Sequence, residues 1–162
     1  MTRPACIKNW QEIRGADDSS YPDSAELMSI GSPFGRTFGL TRIGIHHELL
    51  KPGRRTSWPH AEKTEEEFAY VIEGTPDVWL DGYLHRLAPG DAVGFPAGTG
   101  IAHTFINNTD SDVRMLVVGE CFRATTRCAI HCIPTVTPAS AISIGPMSHR
   151  SRLVRTMVCR IG

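Results

Sequence analysis

From about residue 38 to 119 the chain breaks into short β-branched and aromatic runs, with turn signals every eight to twelve residues. That spacing confines the fold to an antiparallel sandwich or barrel. The runs are LTRIGIHHELL (40–50), EFAYVIEG (67–74), DVWL (77–80), YLHRL (83–87), AVGFP (92–96), AHTFIN (102–107) and VRMLVVGE (113–120). Asp81-Gly82, between DVWL and YLHRL, predicts a two-residue hairpin, because a type I′ turn needs positive φ at both central positions. No stretch keeps a 3.6-residue apolar period, so the core is read as all-β. In EFAYVIEG, Phe68, Tyr70 and Ile72 alternate with Glu67, Ala69 and Val71. Both faces are largely apolar and both are expected to be covered, one inside a barrel and the other by a second sheet, an N-terminal arm or a partner subunit.

The 162 residues suit one domain, large enough to bury a core without a disulfide framework or structural metal. Three parts are expected: an arm over 1–37, anchored by Trp10 and Tyr21, a barrel over 38–120, and an irregular tail over 121–162. The 17 Lys+Arg and 17 Asp+Glu cancel, which argues against a nucleic-acid or membrane-surface partner. The cancellation hides an asymmetry, since all 17 acids and 11 of the bases precede residue 121, while the tail holds six arginines and no acid. The N-terminus lacks the apolar run of a secretory signal, and a cytoplasmic protein is expected. Five cysteines, an odd number in such a chain, read as reduced thiols. Cys128, His131 and Cys132 match no zinc knuckle spacing.

Chemistry concentrates in PGRRTSWPHAEKTEEEFAYVIEG (52–74) and PGDAVGFPAGTGIAHTFIN (89–107). His60 and Glu62 are two apart, so an extended backbone points them to one face, and Glu67 returns to that face after a short connection. His103 opens a strand after a Gly/Pro-rich turn. Two imidazoles and one or two carboxylates converging inside a small barrel can hold a divalent metal with positions open for substrate.

These two stretches resemble the paired motifs of the cupins, small double-stranded β-helix proteins. Gly53, His60, Glu62, Glu67 and Gly74 fit the first motif, with one extra residue before His60 and Glu62 in place of the second histidine. Gly90, Pro96, Gly98, His103 and Asn107 fit the second, with two extra residues before His103. The resemblance implies an all-β jelly-roll barrel, with His60, Glu67 and His103 as metal ligands. Glu62 is open to three readings: a fourth ligand, a nearby catalytic acid or base, or the mark of a weakened site. The implied cofactor is Fe(II), Mn or Zn, and the implied function a metal-dependent oxygenase or isomerase acting on a small molecule in the barrel. The alternative is a non-catalytic module that binds or senses a small molecule. The resemblance also implies a homodimer.

Other residues carry weaker signals. One of the adjacent His46 and His47 must face inward and could line a pocket, although a satisfied or surface histidine is the plainer reading. Tyr70, Trp79 and Phe105 could shape an apolar pocket or be plain core. Arg42, Arg54 and Arg55 could clamp a carboxylate, or be exposed charges. Asn107 is read as closing a turn, and Glu65 and Glu66 as a solvated loop.

Overall fold

The computed structural model describes residues 3–121, so most of the expected tail lies outside the described residues. The element order is a 3-10 turn (Trp10–Ile13), β1 (Ile30–Ser32), a helical turn α1 (Phe34–Thr37), β2 (Ile43–Leu50), β3 (Glu67–Glu73), β4 (Asp77–Leu80), β5 (Tyr83–Arg86), β6 (Ala92–Phe95), β7 (His103–Ile106) and β8 (Val113–Glu120). Strands β1-β2-β8-β3-β6 make a five-stranded sheet and β5-β4-β7 a three-stranded one. All pairings are antiparallel. Runs such as those of β2, β3 and β8 become strands because their alternating apolar residues can be buried on one face, whereas β5, exposed throughout, is held by its hairpin pairing with β4.

The turns obey their glycines. Asp81 and Gly82 both have positive φ (43° and 102°), as the hairpin requires. Just past β3, whose pairing with β8 is bulged between Val71 and Glu73, Gly74 holds φ +82°, and a Cβ there would stand 2.7 Å from Val113 Cγ2. Only glycine fits both constraints.

Leu50, Ala69, Val71, Val113 and Met115 of the large sheet pack on Val78 and Phe105 of the small one, and all seven are buried. This apolar plug fills one end of the sandwich. The polar residues of interest stand nearer the other end.

Two features go beyond these expectations. The segment expected as an arm contributes β1, an edge strand of the large sheet, and α1. A three-residue strand in a Gly/Ser context has too little apolar alternation to be read from sequence. The outer face of the large sheet is also covered only in part. Trp10 stacks on His47 with ring centroids 4.4 Å apart, and the Trp10 carbonyl accepts a hydrogen bond from Ser32 Oγ. Phe68, Tyr70 and Ile72 on β3 stay 43%, 39% and 38% exposed. Nothing among the described residues covers that stripe.

No helix among the described residues is long and apolar enough to cross a membrane. Cys6 is a free, exposed thiol. Cys121 is disulfide-bonded, which corrects the expectation of reduced thiols throughout.

Candidate metal centre

The ladder register sets the site. Glu67 opens β3 on its inward face, followed on that face by Ala69 and Val71. His103 opens β7 opposite Leu80 of β4. His60 lies outside the named strands, in an isolated bridge with His103, whose N–H donates to the His60 carbonyl at 2.8 Å. Two histidines paired through backbone place their rings side by side, with centroids 4.7 Å apart.

One donor atom from each of His60, Glu67 and His103 lies within 4.8 Å of the others. His103 Nε2 and Glu67 Oε1 are 3.2 Å apart. His60 Nδ1 lies 2.9 Å from the Trp58 carbonyl, which only accepts, so Nδ1 carries the proton and Nε2 keeps its lone pair. That tautomer is the one a metal ligand needs. Phe95 stacks on the His103 ring at 3.5 Å and 7°, fixing its plane and shielding it from water. His103 Nδ1 is buried with no hydrogen-bond partner. The donor set, two neutral imidazoles and one carboxylate around a common point, fits a divalent cation.

Glu62 stands at the margin. Its Oε1 is 3.7 Å from His60 Nε2, and it is not one of the three converging residues. Its backbone is held to the Pro/Gly-rich turn by Gly98 N–H donating to the Glu62 carbonyl at 3.0 Å. An open depression of about 410 Å³ at this end of the large sheet is lined by Glu67, Phe95 and Gly119 together with the outward Ile43, Phe68 and Val118, and neither His60 nor His103 lines it.

The remaining candidates separate cleanly. His46 faces inward, while His47 faces out beneath Trp10, and burial followed by the Arg114 charge pushes its pKa down to about 4. Phe105 is core, Tyr70 lies on the exposed stripe, and Trp79 is half-buried. Arg54 pairs with Asp17, and Arg55 Nε donates to Glu26 Oε1 at 2.6 Å. Both arginines are engaged by the N-terminal segment rather than aimed at a ligand. Arg42 is exposed. Asn107 is buried; its Nδ2 donates to the Leu50 and Ser111 carbonyls, each at 2.8 Å, and its Oδ1 accepts from Thr109. It closes a turn, as expected. Glu66 lines the open depression, and burial raises the pKa of Glu65.

Several residues escaped the sequence reading. Trp58, which orients His60, has its indole N–H on Glu26 Oε2 at 3.2 Å and its ring stacked on Tyr21 at 4.2 Å. Glu48 sits on the inward face of β2, its Oε2 accepting from Ser29 Oγ at 2.6 Å. Burial pushes its pKa up to about 7, the Ser29 hydrogen bond opposing and the Glu67 charge adding to the rise. The two-residue step from His46 to Glu48 was the available signal, but a charged residue in a strand run reads as solvent-facing.

Residues 46–119 match the Cupin domain family model. The polyketide synthase CurC of Streptomyces cyaneus is 34% identical over 80 residues, covering 49% of this chain and 50% of that one. A cupin-superfamily sugar phosphate isomerase from Silicibacter pomeroyi superposes with a TM-score of 0.57 at 34% identity, over 58% of this chain and 60% of that one. The polyketide cyclase RemF from Streptomyces resistomycificus superposes with a TM-score of 0.58 at 25% identity, over 77% and 82%. The chain spans about half the length of its curated relative. Motif order, strand topology and these likenesses agree, and the chain carries a small cupin domain.

Proposed function

We infer that the domain is a metal-dependent enzyme of isomerase type, acting by proton transfer on a small carbonyl compound. The observation that carries this reading is the convergence of His60, Glu67 and His103 within 4.8 Å of one another, where β3 and β7 begin. These three residues would hold the cation, with Fe(II), Mn and Zn all suited to a mixed imidazole and carboxylate set. When bound, such a cation acts as a Lewis acid on a carbonyl or hydroxyl oxygen.

The protein's own groups supply the rest. The Trp58 carbonyl presents His60 in the right tautomer, and Phe95 keeps one side of the site dry. Glu62, 3.7 Å from His60 Nε2, is a carboxylate at the edge of the site and is assigned as an acid or base there. Sugar isomerisation and polyketide cyclisation can share a first step, loss of a proton from carbon next to a carbonyl. The named relatives therefore favour the isomerase side of the sequence expectation over the oxygenase side.

Elemental analysis of protein purified without chelators tests the reading. About one divalent metal per chain is expected, with His103→Ala and Glu67→Gln each lowering affinity at least tenfold. Protein that stays metal-free after anaerobic reconstitution with Fe(II), Mn and Zn would sink it.

A further inference from the structure

The inward face of the large sheet carries a second pair of titratable groups that the site above does not use. His46 and Glu48 alternate on β2 with the outward His47, and His46 Nδ1 lies 3.9 Å from Glu48 Oε1. The Glu48 side chain is 15% exposed and fixed by Ser29, whereas the His46 side chain is 35% exposed and accessible to a small molecule. A carboxylate held from behind and an imidazole open in front is the arrangement in which the carboxylate orients the ring and Nε2 does the proton work. At 3.9 Å the two groups are beyond hydrogen-bond length here, and catalytic contacts of this kind can tighten when substrate binds.

The register says where His46 Nε2 points. Gly44 pairs with Gly119, Gly119 with Glu67, and Glu67 with Phe95, forming one row across four strands. A Cβ built on Gly44 would lie 3.8 Å from His46 Nε2, so the ring leans over Gly44 into the row that contains Glu67. The two positions before Glu67 in that row are both glycine. A Cβ on Gly119 would meet only the Glu66 carbonyl oxygen, at 3.6 Å. No side chain therefore stands in that row between His46 and the ligand Glu67.

Charges facing the pair are consistent with this placement. Burial lowers the pKa of His46, the Arg36 charge lowers it further, and the Glu67 charge opposes both. Glu67 also raises the pKa of Glu48. Both groups thus sense the candidate ligand through the same interior.

We propose that His46 and Glu48 form a proton-transfer dyad opposite the metal centre, with His46 as the catalytic base and Glu48 as the residue that positions it. The proposal rests on the isomerase reading above and names the substrate class as a carbonyl compound with an acidic neighbouring C–H. His46 Nε2 takes that proton; the C–H electron pair forms a carbon–carbon double bond as the carbonyl π pair moves onto oxygen. The imidazolium then returns the proton to carbon or oxygen, and no oxidant is consumed.

Two measurements on the full chain test this. On metal-free protein, two-bond proton–nitrogen NMR spectra should find His46 protonated on Nδ1, with its titration shifted by Glu48→Gln. An unchanged tautomer and titration in that variant overturns the dyad. On zinc-loaded protein, deuterium uptake from D2O into dihydroxyacetone phosphate and acetoacetyl-N-acetylcysteamine is followed against the buffer rate. His46→Gln should lower the catalysed uptake at least a hundredfold and Glu48→Gln about tenfold, with zinc affinity changed less than twofold. Gly119→Val, which puts a side chain into that row, should abolish uptake while leaving zinc binding intact. Uptake that survives His46→Gln, or wild-type protein that binds zinc yet exchanges neither probe, overturns the proposal. Failure to bind zinc with a normal His46–Glu48 signature overturns the metal reading alone.

Discussion

Two buried titratable side chains on β2 make opposite demands on the proton. Glu48, pushed up to about 7 from 4.5, binds its proton more tightly folded than unfolded. Its stabilisation is present below pH 4.5 and is lost as pH rises toward 7. His47, pushed down to about 4 from 6.5, binds its proton less tightly when folded. Its stabilisation is present above pH 6.5 and is lost as pH falls toward 4. The shifts are of similar size, so these two contributions oppose one another between pH 4.5 and 6.5. Glu48→Gln should expose a stability that rises with pH, and His47→Gln one that falls. Thermal melts at half-unit pH steps check this, and parallel profiles for all three proteins would contradict the assignment.

At the scale of elements, the fold depends on turns that hold the strand ends in register. Gly74 is the tightest of them, since an added Cβ would press on Val113 Cγ2 at 2.7 Å and on the Asp112 carbonyl oxygen at 3.0 Å, at a φ that favours glycine. Gly74→Ala should cost about 2–4 kcal/mol, read as a lowered denaturant midpoint with unchanged m-value. A loss below about 0.5 kcal/mol would mean the turn relaxes freely. DVWL and VRMLVVGE became strands over the residues read from the sequence, and the Asp81-Gly82 hairpin formed, because period-two alternation and positive-φ turn chemistry are local signals. His60, Glu67 and His103 were legible by the same route, through parity and motif spacing. Glu48, Trp58 and Ser29 were not, because their importance comes from contacts 19 to 32 residues away in sequence. Local pattern carries no information about such partners. β1 was missed for a related reason: Ile30–Ser32 is a strand only because β2 offers an edge to pair with.

Among the described residues, an apolar stripe stays open at the scale of the whole molecule. On the outer face of the large sheet, residues near the N-terminus cover His47 and Ser32, while Phe68, Tyr70 and Ile72 remain open on β3 beside the edge strand β6. A stripe of three large apolar side chains on a sheet face is costly to leave in water, at about 25 cal/mol per Å² of apolar area. A second copy of the same face is the simplest cover, because two-fold pairing buries the stripe on both chains at once. The expected outcome is a dimer in light scattering at micromolar concentration. Tyr70→Glu, which points its charge outward and leaves Ala69 and Val71 in the core untouched, should convert it to a folded monomer with an unchanged circular dichroism spectrum. A wild-type protein that stays monomeric up to about 100 μM would leave the stripe exposed in solution, and dimerisation would then play no part in holding Glu67 at the site.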